Sequence, residues 1–341
     1  MKALFIGGTG TISSEISKLC VAQGWELTLL NRGQSRSRVP EGARVIVGDI
    51  HQEEAVRDLI GQEHYDVVAD FIAFSVADVE RDIRLFEGKC DQYFFISSAS
   101  AYQKPLSSPW ITEGTPLHNP YWEYSRNKAA CERVLRDAWD QRLFPITIIR
   151  PSHTYCERSL PVAVHGTKGS FQVLERIRLG KRIIIPGDGT TLWTLTHSRD
   201  FAVAFVGLMG NVHALGETYH ITGDESLTWN QIHECAARAL GAELKAVHVP
   251  SDLLGKLYPD MVGNLIGDKS NTVLFDNSKI KRAVPAFNAT TRYDQGAREG
   301  VAWIYAHPEC QVPDPEFDDW CDRFLEVWDK AVAALPVFPQ P

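Results

Sequence analysis

Residues 7–13, Gly-Gly-Thr-Gly-Thr-Ile-Ser, leave this chain few folds to choose from. They follow the apolar run Ala3–Ile6 and open a stretch with helical patterning near 12–23. Gly7 permits a tight turn. Gly10 lets the backbone approach a pyrophosphate seated on the helix N-terminus, where amide N–H groups have no internal partners. Thr9, Thr11 and Ile12 complete the turn that would face the phosphates. Ser13 stands where the dinucleotide fingerprint has its third glycine, and is small enough to keep helix and strand close. In mid-chain such a turn would say little. At the first β–α junction of a repeating pattern it points to a bound dinucleotide.

That pattern continues. Runs at Glu26–Leu30, Arg44–Val47, Asp66–Phe71, Tyr93–Ser97 and Ile146–Arg150 alternate with helical stretches near 52–61, 77–88 and 122–140. Apolar runs without in–out alternation suit strands covered on both faces, hence a parallel sheet. Right-handed crossovers then give an α/β fold with a Rossmann-type doubly wound parallel sheet. Residues 1–150 are expected to form the dinucleotide-binding domain, and 151–341 mostly a smaller C-terminal substrate-binding lobe. In that half, 151–170 reads as loop, 171–179 as helix, Arg182–Ile185 as strand and 200–210 as helix. Thr228 and Gln231 form a capping box opening a helix to about 240. An acidic, aromatic helix spans roughly 314–335, and its stripe of Phe317, Trp320, Phe324 and Trp328 reads as a docked face or a subunit contact, which keeps a homodimer open.

Composition narrows the partners. A net charge of −8 over 341 residues disfavours nucleic acid, which needs a basic surface. The seven cysteines are scattered, with no CxxC pair, so neither a zinc site nor a disulfide framework is expected, and a reducing cytoplasm fits. The N-terminus does not read as a signal peptide, and no stretch has the ~20 apolar residues of a membrane helix.

The residues after the second strand bear on cofactor choice. An acid there would bind the ribose hydroxyls of NAD. Asn31-Arg32-Gly33, with Arg36 and Arg38 beyond, supplies arginine instead, which favours the extra phosphate of NADP, although Arg32 stacked on adenine fits too. Asp49, followed by Ile50 after the third strand, is placed to accept from the adenine amino group or to cap the next helix.

Tyr124 and Lys128 form the only YxxxK spacing in the chain. Four residues apart at the start of a helix, they share one face. Ser98 ends the fifth strand, at the edge where open α/β sheets bind ligands. Moving a hydroxyl proton near neutral pH requires a tuned acid–base group. A tyrosine is too weak a base at its usual pKa of about 10, and a neighbouring ammonium would lower that value. A serine hydroxyl beside the phenol would hold the substrate oxygen in line for hydride transfer.

These residues resemble the extended short-chain dehydrogenase/reductases, the NAD(P)-dependent epimerase/dehydratase family. The resemblance runs from Met1 to about Trp303. It rests on IGGTGTIS (6–13), GDI (48–50), FFISSASAY (94–102), YSRNK (124–128), IRPSHTY (149–155), the GDG turn (187–189), HSRD (197–200) and YHITG (219–223). It implies that Ser98 donates to the substrate oxygen, Tyr124 transfers the proton and Lys128 is its partner. It also implies that Pro151 and His153 flank the nicotinamide and that Ala73 lines the diphosphate–ribose channel. Asp70 stands where many members carry histidine. The Asp-Glu pair of the dehydratases is missing after Ser98. Trp193 aligns where nucleotide-sugar enzymes hold substrate phosphates with arginine. Trp193 and His197 are candidate substrate contacts, though for His197 a place at a helix start capped by Asp200 is the favoured reading.

The sequence therefore predicts an NAD(P)-dependent oxidoreductase or epimerase acting on a secondary hydroxyl or ketone of a small molecule, a sugar by resemblance. Its rival is a catalytically idle NAD(P)-binding protein that binds RNA or regulates, as in an atypical branch of the family that includes chloroplast stem-loop-binding proteins.

Overall fold

The computed structural model describes residues 1–337, which divide into two compact units. The larger comprises Met1–Cys156, Thr191–Leu227 and Ser251–Tyr293. The expected cut near residue 150 falls close to the end of its first segment. Beyond that point the chain alternates between the units.

The larger unit begins with β1 (Lys2–Ile6), α1 (Ser13–Ala22), β2 (Glu26–Asn31), β3 (Arg44–Val47), α2 (Glu53–Ile60), β4 (Val67–Asp70), α3 (Val76–Phe86) and β5 (Tyr93–Ile96). The short β6 (Trp110–Ile111), α4 (Glu123–Arg142), β7 (Ile146–Pro151) and β8 (His153–Tyr155) follow. After α5 (Phe171–Arg178) and β9 (Ile183–Pro186), which belong to the other unit, it resumes with β10 (Leu192–His197), α6 (Ser198–Leu208) and β11 (Glu217–Ile221).

Seven strands form the central sheet in the order β3-β2-β1-β4-β5-β7-β11, every neighbouring pair parallel. This is the doubly wound α/β sheet expected. Its order reverses between β1 and β4, so the glycine turn after β1 sits at the switch point where such sheets bind ligands. Alternate residues of each strand face opposite sides, and both sides are apolar. Phe5, Leu29 and Phe94 pack with Ile16, Phe201 and Phe205 on one side. Leu4, Ile6, Val68 and Phe95 pack with Val56, Val79 and Leu135 on the other. That two-sided burial is why the strands read as unbroken apolar runs.

The seventh strand, β11, was not among the expected strands. Its sequence, Glu-Thr-Tyr-His-Ile, interrupts the apolar run with Thr218 and His220, both buried. Each is satisfied: the Thr218 hydroxyl accepts from Arg136, and His220 pairs with the Asp276 carbonyl at 2.7 Å. Polar residues with fixed partners can occupy a core strand that periodicity overlooks.

The smaller unit holds Glu157–Thr190, Thr228–Pro250 and the described residues from Asp294 onward. The Thr228–Gln231 capping box is present, opening the helix Trp229–Ala239. The helix Pro315–Ala333 buries Phe317, Cys321 and Leu325, and its aspartates Asp318 and Asp322 bind Arg176 of α5 at 2.6 and 2.7 Å. Of the aromatic stripe, Phe317 is buried in this unit, while Trp320, Phe324 and Trp328 are half-buried. Among the described residues no helix is long and apolar enough to cross a membrane.

Candidate active site

The glycine turn is held by serines. Gly7 and Gly8 have φ of +98° and +84°, a region that suits glycine. A Cβ on Gly8 would lie 2.6 Å from Leu29 Cδ2, so this glycine permits the close approach to β2. At the third fingerprint position the Ser13 hydroxyl oxygen accepts from the Gly10 amide at 2.9 Å. Ser14 and Ser17 donate to the carbonyls of Gly10 and Gly8 at 2.7 and 2.8 Å. The substitution therefore adds a fastening that glycine could not supply. Among the described residues, the amides of Thr11 and Ile12 donate to no protein group. Free amides at the mouth of α1 are what an anionic pyrophosphate requires.

A cleft of about 390 Å³ runs from this turn, bordered by Gly7, Thr9, Asn31, Arg32, Asp49 and Ile50. Asn31 is turned inward to its own loop, accepting from the Gly33 amide at 2.9 Å. Arg32 is exposed, with no side-chain partner among the described residues. Asp49 accepts from the His51 amide at 3.1 Å and does not cap α2, whose N-cap is Gln52. The residues present fit a dinucleotide, with Arg32 available to its adenosine end.

Behind the cleft lies a buried charge network. Arg81 binds Asp70, Asp82 and Asp78 at 3.2, 2.8 and 2.9 Å, and Tyr93 donates to Asp82 at 2.6 Å. Desolvation, and then repulsion from Asp82, push the Asp70 carboxyl well above the usual carboxylate range.

Ser98 and Tyr124 border a second cavity of about 260 Å³, together with Pro151, His153 and Trp193. Lys128 follows Tyr124 by one helical turn, its Nζ 5.7 Å from the centre of the tyrosine ring. That ammonium is buried and donates to the carbonyls of Ala73 and Ile96 at 2.6 and 2.7 Å. Ala73 is thus buried, its carbonyl an anchor for the lysine, while its neighbours Ile72 and Phe74 border the cleft. Desolvation lowers the Lys128 pKa to about 8. Tyr124 is shifted the opposite way to expectation. Burial raises its phenol above the ordinary value, a hydrogen bond with Ser98 opposes this, and the Asp268 carboxylate adds to it. Burial thus keeps the tyrosine protonated.

Hydroxyl groups orient Ser98. Asn119 Nδ2 lies 3.4 Å from the Ser125 hydroxyl, and Ser125 donates to Ser100 at 2.8 Å. Ser100 and Ser98 share a hydrogen bond at 2.9 Å, and the Ser100 amide donates to Ser98 at 3.2 Å. Ser125, Ser100 and Ser98 thus form one chain of hydroxyl groups that ends at the cavity. Ser125 and Asn119 were not expected from sequence. Ser125 lies inside the Tyr124–Lys128 motif, and its alcohol was the available clue.

His197 is a correction. It does not border the cavity; it is the N-cap of α6, its imidazole Nδ1 accepting from the Arg199 amide at 3.1 Å. Its ring meets Tyr155 edge-on at 5.0 Å. The cap expected from Asp200 is not formed: the histidine caps the helix, and Asp200 accepts from the Thr291 amide at 3.0 Å.

Sheet order, glycine turn and free amides at the switch point define a dinucleotide-binding protein of Rossmann type. The chain belongs to the NAD dependent epimerase/dehydratase family, whose model matches residues 3–222. It is 25% identical over 289 residues to the 2'-dehydrokanamycin reductase of Streptomyces kanamyceticus, covering 84% of this chain and 80% of that protein. It is 27% identical over 264 residues to the chloroplast stem-loop binding protein of 41 kDa b of Arabidopsis thaliana, covering 72% and 65%. Its fold is similar to that of the dTDP-glucose 4,6-dehydratase of Bacillus anthracis in complex with NAD, with a TM-score of 0.72, 18% identity, and coverage of 91% and 98%. It is equally similar to the UDP-glucose 4-epimerase of Bifidobacterium longum in complex with NAD+ and UDP, with a TM-score of 0.72, 17% identity, and coverage of 91% and 100%.

Proposed function

We propose that the chain is an NAD(P)-dependent oxidoreductase or epimerase that transfers hydride at a secondary hydroxyl or ketone of a sugar or sugar derivative. The observation that carries this reading is the joint placement of Ser98 and Tyr124 on one cavity with the Lys128 ammonium beside the phenol. The cofactor, when bound, supplies or accepts the hydride. Gly7, Thr9, Gly10, Thr11 and Ile12 cradle its pyrophosphate, Asp49 and Ile50 its adenine, and Pro151 and His153 its nicotinamide end. Arg32 reads the 2′-phosphate and tilts the preference to NADP.

Ser98 donates to the substrate oxygen and fixes it against Tyr124. Tyr124 gives its proton to that oxygen on reduction and takes it back on oxidation. Burial keeps this phenol protonated, so Tyr124 enters the reaction as the acid, and the lysine ammonium beside it is the group that can ease release of its proton. The family includes reductases and epimerases, and the kanamycin-type reductase and the epimerases among the relatives support both. The stem-loop binding relative favours the RNA-binding alternative, but a net charge of −8 opposes it.

Tyr124→Phe tests the reading. It removes the ionisable oxygen and keeps the ring. Turnover should fall at least ~10²-fold, the worth of a positioned acid–base group, with cofactor affinity nearly unchanged. Turnover within a few-fold of the parent would sink the mechanism, and a salt-dependent gel shift with RNA would revive the alternative.

A further inference from the structure

The cavity of Ser98 and Tyr124 contains a charged group that the proposed chemistry does not use. Asp268 borders it, in the segment Leu265–Lys269. Among the described residues no hydrogen-bond donor reaches its carboxylate. A half-buried carboxylate at a cavity wall, with no protein donor, is open to a donor from a ligand. Its place is built with care. The Asn119 amide donates both to the Ser100 carbonyl at 2.8 Å and to the Gly267 carbonyl at 2.7 Å. One side chain thus ties the segment bearing Asp268 to the loop bearing Ser98. Just before that segment, Gly263 allows Trp122 to lie against the backbone, since a Cβ there would come 2.3 Å from the indole.

The rest of the lining indicates what the carboxylate meets. Trp122, Trp193 and Phe275 give it broad apolar faces, and no lysine or arginine is among the described lining residues. Lys104 and Lys269 attract Asp268, yet neither borders the cavity, and the buried Lys104 ammonium makes no hydrogen bond of its own. An incoming anion would therefore meet the carboxylate before any cation. A saturated ring with hydroxyl groups offers both matches: C–H faces for the aromatic rings and O–H donors for the carboxylate.

We infer that Asp268 is a specificity-determining residue, accepting hydrogen bonds from hydroxyl groups of a saturated ring and turning away substrates with a phosphate or carboxylate in that position. The inference rests on the reading of this cavity as the substrate site. It makes the substrate a free or glycosidic sugar, or a related polyol, and not a nucleotide diphosphate sugar.

The test is calorimetry on the NAD+-saturated protein with methyl glucoside, glucuronate and UDP-glucose. The parent should bind methyl glucoside saturably, and glucuronate and UDP-glucose at least ~10-fold more weakly. Asp268→Asn should weaken methyl glucoside about ten- to a hundredfold, the worth of hydrogen bonds to a charged acceptor, and weaken glucuronate less or not at all. Retained NAD+ affinity shows that the variant folds, because Asp268 does not border the dinucleotide cleft. If the variant does not fold, the ranking of the three ligands on the parent decides. Tightest binding by UDP-glucose, no binding of methyl glucoside, or an unchanged affinity for methyl glucoside in Asp268→Asn would each overturn the inference. Because binding is read without turnover, these outcomes are separate from failure of Tyr124→Phe to affect catalysis.

Discussion

Replacing Lys128 by methionine separates a functional lysine from a structural one. Burial lowers its pKa from an ordinary 10.5 to about 8. At neutral pH the fold therefore carries an ammonium it would rather not hold, at a cost of about 3 kcal/mol. Methionine removes that cost and keeps most of the side-chain volume. It also strips the donor from the Ala73 and Ile96 carbonyls, a loss of about 1–3 kcal/mol for each that stays dry. The two effects oppose one another, so unfolding free energy should change by no more than about 3 kcal/mol. Turnover should nevertheless fall at least ~10²-fold. The pH dependence supplies a second reading. A base depressed in the folded state costs stability in full below its folded pKa, and the cost fades as pH climbs toward the unfolded value. The parent should therefore gain stability between about pH 8 and 10.5, and Lys128→Met should lack that gain. Denaturant titrations across this window, alongside turnover at pH 7, measure both. A variant that loses several kcal/mol while its residual folded fraction turns over normally would refute the assignment.

Two further outcomes are expected. Arg32→Ala should weaken NADP about ten- to a hundredfold, as for a charge-assisted hydrogen bond, and leave NAD nearly unchanged; equal losses in calorimetry would mean that the guanidinium stacks on adenine. His197→Ala should cost about 1–2 kcal/mol of stability through loss of the α6 cap, with KM within a few-fold of the parent, whereas His197→Asn should recover most of the stability; a large rise in KM with both would return this histidine to the substrate site.

The sheet was legible because most of its strands are buried on both sides, so that the runs at Ala3–Ile6, Asp66–Phe71 and Ile146–Arg150 stand out without alternation. Each corresponds to a strand of the structure. Ser98, Tyr124, Lys128 and the glycine turn were readable because each sits at a strand end or a helix start, where local pattern fixes direction. Asp268 was not. It lies in an irregular stretch with no period, and its place depends on the Asn119 amide 149 residues earlier in the chain. His197 misled for a related reason: a histidine before a helix looks the same in sequence whether its ring faces a ligand or turns back on the backbone.

The late arrival of β11 has a consequence for how the chain is made. Its partner β7 ends at Pro151, and β11 begins at Glu217. A ribosome has therefore delivered six strands of the sheet well before the one that covers the β7 edge. During that interval an apolar edge lies open, and such edges pair readily with other chains. The long-range contact also slows the final closure, since loop-closing entropy is lost before the pairing compensates. A nascent or truncated chain ending soon after Cys156 should therefore be the aggregation-prone form of this protein, and newly made copies the ones most dependent on chaperones.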